Sequence, residues 1–150
     1  MTEPGPWRSL IQGLASDAEF AMGASVERIS AAEEALRVSL PAELRCLLLE
    51  SDGVQAEHSV IWSCAELAKQ NIDFRSSENF RELYMPFDNL LFIGADGGGD
   101  QFAYAIAADG RIPNNDIYRW DHETDGRPWF SAHLRQYLER RLSPSADEGS

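Results

Sequence analysis

An α+β fold is what the order of elements along this 150-residue chain predicts. Three observations lead there. Apolar residues at helical spacing open and close the chain, and helix-start signals recur between them. From Leu90 onward the pattern changes to short apolar runs separated by glycine and acidic loops, as in an antiparallel meander.

The elements follow in order. Trp7, Leu10, Ile11 and Leu14 stand at the i, i+3, i+4, i+7 spacing of one helix face, and Pro6 suits the first helical position. Ser30-Ala31-Ala32-Glu33 matches a capping box, with Leu36 on the apolar face, so a helix is predicted over about 31–38. Helical periodicity restarts at Leu40-Pro41 and runs to Glu50, where Asp52-Gly53 supplies a stop. Val60-Ile61-Trp62 reads as a short strand, and Ser63-Cys64-Ala65-Glu66 is a second capping box, opening a helix through Leu67 and Ala68. Residues 71–88, rich in charge and aromatics, have no clear period and are expected to cross the surface. Leu90-Leu91-Phe92-Ile93 and Gln101-Phe102-Ala103-Tyr104-Ala105-Ile106 are strands around a glycine loop. A turn at Asp109-Gly110 and a strand at Ile117-Tyr118-Arg119-Trp120 come next. Leu134, Tyr137, Leu138 and Leu142 mark a last helix, starting near Ser131, and residues 143–150 read as a frayed tail. The chain contains no internal repeat and no low-complexity linker.

At this length one domain is expected, burying roughly 70% of its unfolded surface. A composition of 43% hydrophobic and 25% charged residues fits an ordinary globular chain and argues against wholesale disorder. Charge is the unusual quantity. A formal net charge of −12, with Lys69 the single lysine, disfavours sequence-independent binding to nucleic acid, which needs clustered cations. It suits a surface that draws basic partners. Cys46 and Cys64 have neither metal-ligand spacing nor a disulfide pattern. No segment has the length and apolarity of a bilayer span, and Glu3-Pro4-Gly5-Pro6 is no basic leader, so a cytoplasmic address is expected.

The chemistry-like motifs each lack a necessary part. Gly94 and Gly99 have the spacing of the outer Walker glycines, yet Asp100-Gln101 stands where lysine and a hydroxyl residue are needed, and a carboxylate there repels phosphate. Gly94, Gly97, Gly98 and Gly99 are therefore read as a structural loop. Asp96 and Asp100 fail the calcium-loop pattern, because Gln101 holds the position that requires glycine, and flanking aspartates ordinarily cap turns. His58, His122 and His133 have no partner motif of the zincin or deaminase kind. Gly23-Ala24-Ser25-Val26-Glu27 misses the nucleophile elbow at its last position. A carboxylate pair is set in three dimensions and has no sequence signature here. Trp62, Trp120 and Trp129 are expected in the core rather than in a groove. No catalytic residue, metal or cofactor is expected.

Taken together, Ile29 to Leu36, Leu40-Pro41-Ala42-Glu43-Leu44-Arg45, Asp52-Gly53, and Phe92-Ile93-Gly94 with Gly97-Gly98-Gly99-Asp100 resemble the SMI1/KNR4 family of the SUKH superfamily. The resemblance spans about 25–142, taking in Ile61-Trp62-Ser63, Trp120-Asp121-His122-Glu123 and the last helix, and leaves 1–24 as an N-terminal extension. It implies a central, mainly antiparallel sheet flanked by helices, with no conserved catalytic set. It also implies protein binding. Many bacterial members are immunity proteins that neutralise a toxin domain of a polymorphic toxin system, and fungal relatives regulate cell-wall assembly. An immunity protein acting on a toxin domain with a basic surface is the leading expectation, with Asp96, Asp100, Asp121, Glu123 and Asp125 as part of its interface. A regulatory, peptide-binding scaffold is the alternative, and a small carboxylate-pair enzyme stands behind both.

Overall fold

Pro6 opens the first helix, α1 (Pro6–Leu14), where its missing N–H would have found no helical partner. The computed structural model describes residues 5–78 and 83–142. Among the described residues, β1 (Glu19–Phe20), α2 (Val26–Leu36), α3 (Ala42–Glu50), β2 (Val54–Ala56), β3 (His58–Ile61) and α4 (Cys64–Ser76) follow α1. Then come β4 (Leu90–Ala95), β5 (Gln101–Ala105), β6 (Ile117–Trp120), β7 (Trp129–Ser131) and α5 (Leu134–Leu142). The expected tail at 143–150 and Phe80 lie outside the described residues.

The fold is α+β, and its strands form two antiparallel sheets ordered β1-β2-β3 and β4-β5-β6-β7. The sheets meet where β3 runs beside β4: the Trp62 N–H donates to the Ile93 carbonyl at 2.8 Å, and the buried Tyr137 hydroxyl of α5 donates to the Val60 carbonyl at 2.6 Å. Gly94 makes that approach possible. A Cβ there would run into the carbonyl of Val60 and lie 2.8 Å from the Tyr137 hydroxyl. Beside it the β4–β5 register slips between Phe92 and Gly94, a bulge of the kind that bends a strand.

Three expectations need correction. The second helix starts earlier than the Ser30 box predicts: Ser25 is the N-cap, accepting from the Arg28 N–H at 3.1 Å, and Ser30 lies inside the helix. Glu33 turns outward from the box, accepting from the Leu40 N–H at 2.8 Å and pairing with Arg45 at 2.6 Å. The helix also ends at Leu36, with Arg37 in the left-handed region at φ 55°. Second, residues 71–76 do not cross the surface but continue α4, and Phe87 beyond them is buried in the core. Third, β1, β2 and β7 were not foreseen. With two or three residues each, they are too short to carry a period and exist because neighbours pair with them.

The core lies between the sheets and the helices. Leu44, Leu47 and Leu48 of α3, Leu67 of α4, Leu91 to Ile93 of β4 and Leu134, Tyr137 and Leu138 on the inner face of α5 are all buried. Each such side chain contributes about 1.5–3 kcal/mol of burial. The segment before Ser25 is packed into this body: Ile11 is buried, and Glu50 of α3 accepts from the Trp7 and Arg8 N–H groups at 3.3 and 3.0 Å. That carboxylate caps α1, which has no side-chain cap of its own.

Candidate functional site

The glycine loop between β4 and β5 and the acidic loop between β6 and β7 lie side by side, because β5 joins both strands in one sheet. Gly97 and Gly99 take φ +85° and +113°, a region open to glycine, and each lies against an imidazole. A Cβ at Gly97 would strike the His58 ring, and one at Gly99 would come within 2.7 Å of the His122 ring. The expected structural loop is thus held between two histidines from different elements.

Asp96 organises the loop from within. Its Oδ1 accepts from the N–H groups of Gly98 at 2.8 Å and Asp100 at 3.2 Å, and its Oδ2 lies 3.3 Å from Arg119. Asp100 is buried and fully engaged. Its Oδ2 meets the Arg119 guanidinium at 2.9 Å, and its Oδ1 takes the His122 backbone N–H at 3.2 Å and faces His122 Nδ1 at 2.7 Å. Burial would raise its carboxyl, but the hydrogen bonds from His122 and Arg119 outweigh it and hold the group below its ordinary value. The same bond to Asp100, reinforced by the charges of Asp100, Glu123 and Asp121, raises His122 above its ordinary 6.5 in spite of desolvation.

Asp125 is engaged in the same way. Its Oδ1 accepts from the Trp120 indole at 2.8 Å and Arg127 at 3.0 Å, and its Oδ2 accepts from the Met85 N–H at 2.8 Å. These bonds hold its carboxyl low against the opposing effect of burial. Trp120 is buried against Phe74, Tyr84, Phe87 and Phe92, and the Tyr84 hydroxyl donates to the His122 carbonyl at 2.8 Å, so the acidic loop is moored on an aromatic cluster.

Of the five acids expected at an interface, the fold brings all five together around Arg119, Trp120 and His122, in different states. Asp100 and Asp125 spend their oxygens inside the protein. Asp96 is shared between its own turn and Arg119. Asp121 accepts the Glu123 N–H at 2.9 Å, and neither it nor the exposed Glu123 pairs with an arginine or lysine among the described residues. Asp100, Asp121 and His122 also present ligand atoms within 4.8 Å of one another. The Arg119 guanidinium 2.9 Å from Asp100 already supplies the positive charge there, so the group forms an ion network in which a metal cation would meet a resident one.

A family model described as the SMI1 / KNR4 family (SUKH-1) matches residues 23–140. The chain belongs to the SMI1/KNR4 family. A comparison with curated proteins gave no match. SUKH proteins are in general non-catalytic and bind protein partners. The matched span holds both loops of the site and the junction of the two sheets, while α1 and β1 lie before it. No helix of the described residues is long and apolar enough to cross a membrane.

Of the three tryptophans expected in the core, Trp62 and Trp120 are buried, whereas Trp129 is half exposed, its indole donating to Asp116 at 3.2 Å. Sequence reasoning passed over Arg119 and Arg127, the cations that decide which acids remain available. Arg119 stands in a strand that the sequence predicts, but its partners Asp96 and Asp100 lie beyond β4, and Arg127 joins Asp125 of its own loop to the distant carbonyls of Met85 and Pro86. Cys64 is buried, and its thiol is pushed up to about 12 by that burial and by the neighbouring Asp52, which makes it a poor nucleophile.

Proposed function

We propose that this SUKH-1 protein is an immunity protein that binds a toxin domain with a basic surface and neutralises it by covering it, without chemistry of its own. The observation that supports this reading is the distribution of charge: a net charge of −12, with Asp121 and Glu123 paired to no arginine or lysine among the described residues, on a loop moored to the core. A toxin acting on nucleic acid must itself be cationic, and a pre-held acidic loop raises the rate of encounter and selects such a partner. The loop needs little ordering on binding, because Asp125, Tyr84 and Asp100 already hold it.

The test is capture of the tagged protein from its native cells, followed by assay of the recovered partner. One stoichiometric partner whose toxic activity the protein suppresses is expected. The double variant Asp121→Lys, Glu123→Lys should weaken that complex about tenfold or more at low salt and less at high salt, since screening removes exposed attraction. Recovery of several wall-synthesis or signalling proteins would replace this reading with the regulatory scaffold. Equal affinity of the variant at both salt concentrations would remove the β6–β7 loop from the interface.

A further inference from the structure

The three-stranded sheet carries a concavity on the face beside the start of α4. It has a volume of about 230 Å³ and is lined by residues of β1, β2 and β3, by Asp52 and Gly53, and by Trp62, Ser63 and Glu66. The register explains its form: Glu19 lies opposite Gln55, which lies opposite Ser59, while Phe20, Val54 and Ile61 make the adjacent apolar row. Three carboxylates, from Glu19, Asp52 and Glu66, line it, and no cation does. Two cations lie close by and are engaged: Arg28 pairs with Asp52 at 3.5 Å, and Arg8 stacks 4.9 Å over the Phe20 ring while donating to the carbonyls of Glu50 and Ala21. Asp52 also accepts the Cys64 N–H at 2.7 Å, and Glu66 accepts from Gln70 at 3.0 Å.

Trp62 supplies the independent observation. The residue is only 7% exposed, and it lines the concavity. Its backbone N–H is taken by Ile93, yet its indole N–H has no acceptor among the described residues and is not sealed from solvent. A buried indole ordinarily finds an acceptor. Here the donor is left for a group from outside the chain.

The geometry points to a docking pocket for a basic residue of a partner protein, the indole N–H of Trp62 donating to a main-chain carbonyl of the docked segment while Glu19, Glu66 and Asp52 face its cation. Arginine suits it better than lysine, since a guanidinium stacks on aromatic faces such as Phe20 and forks onto carboxylates. The inference rests on the protein-binding reading and adds a second contact surface, built on different strands from the β6–β7 loop.

The probe is the tripeptide acetyl-Gly-Arg-Gly-amide, titrated into the full ¹⁵N-labelled chain by NMR, with the citrulline tripeptide as the uncharged isostere. The arginine peptide should shift the Trp62 indole signal, assigned with Trp62→Phe, together with the amides of Gln55 and Ser59. The citrulline peptide should bind about tenfold more weakly. The double variant Glu19→Gln, Glu66→Gln, at exposed side chains and with its fold checked by thermal unfolding, should weaken the arginine peptide about threefold to tenfold. Equal shifts from both peptides, shifts confined to residues 121–125, or an unaffected double variant would overturn the pocket. This titration needs no native partner, so a pocket that binds arginine stands even if no toxin is captured, and a captured toxin does not rescue a pocket that fails.

Discussion

Asp100 shows how much one carboxylate's role depends on what surrounds it. In the sequence it is an acid beside three glycines, and in the fold it is the buried hub of Arg119 and His122. The pair has a pH signature with a definite sign. His122, raised above 6.5, contributes stability that is complete below that value and is lost as pH climbs through the raised one. Asp100, held below 3.8, contributes stability that is present above 3.8 and is lost as pH falls through the depressed value. The interaction is therefore fullest between about those two ordinary values. An NMR titration of the His122 ring should give a midpoint above 6.5 that drops toward it in Asp100→Asn; a wild-type midpoint at or below 6.5 would sink the pairing. The glycine loop was legible as structural from its missing lysine, and its aspartates were legible as turn caps. Which acids stay free was not, because Arg119 lies nineteen residues from Asp100 and meets it only across the β5–β6 ladder.

At the scale of elements, β4 depends on α4 as much as on its strand partner. The Asn71 side chain stands in for a missing strand: its Oδ1 accepts from the Phe92 N–H at 2.8 Å and its Nδ2 donates to the Phe92 carbonyl at 2.9 Å. Asn71→Ala would strand both backbone groups in the core, at about 1–3 kcal/mol each. Urea unfolding should show a loss of roughly 2–6 kcal/mol, and a loss under about 1 kcal/mol would mean that the strand edge finds other partners. α4 itself was legible at its start, where Ser63 caps the Glu66 N–H at 3.2 Å, but not in its second half. There the apolar face is interrupted by the buried Asn71, which periodicity counts as a surface residue. The cap of α2 was hidden for a related reason. Arg28 stands where a capping box needs an acid, so the true cap at Ser25 has the weaker signature and the internal Ser30 the stronger one.

For the molecule as a whole, the net charge of −12 acts on stability as well as on partners. Repulsion among the acids opposes the folded state, and salt screens it, the Debye length falling from ~30 Å at ~0.01 M to ~8 Å at ~0.15 M. The thermal midpoint should rise between those two ionic strengths. A fall would mean that internal pairs such as Glu33–Arg45 and Asp100–Arg119 outweigh the general repulsion. The sequence by itself determined the α+β class, most helix faces, the strands of the meander, the family and the acidity, because each is written in local spacing or in composition. Tertiary structure alone decided the short strands β1, β2 and β7, the packing of α1 against α3, the saturation of Asp100 and Asp125, and the lack of an acceptor for the Trp62 indole among the described residues. Those depend on which side chain meets which across the fold, and no local pattern encodes a partner tens of residues away.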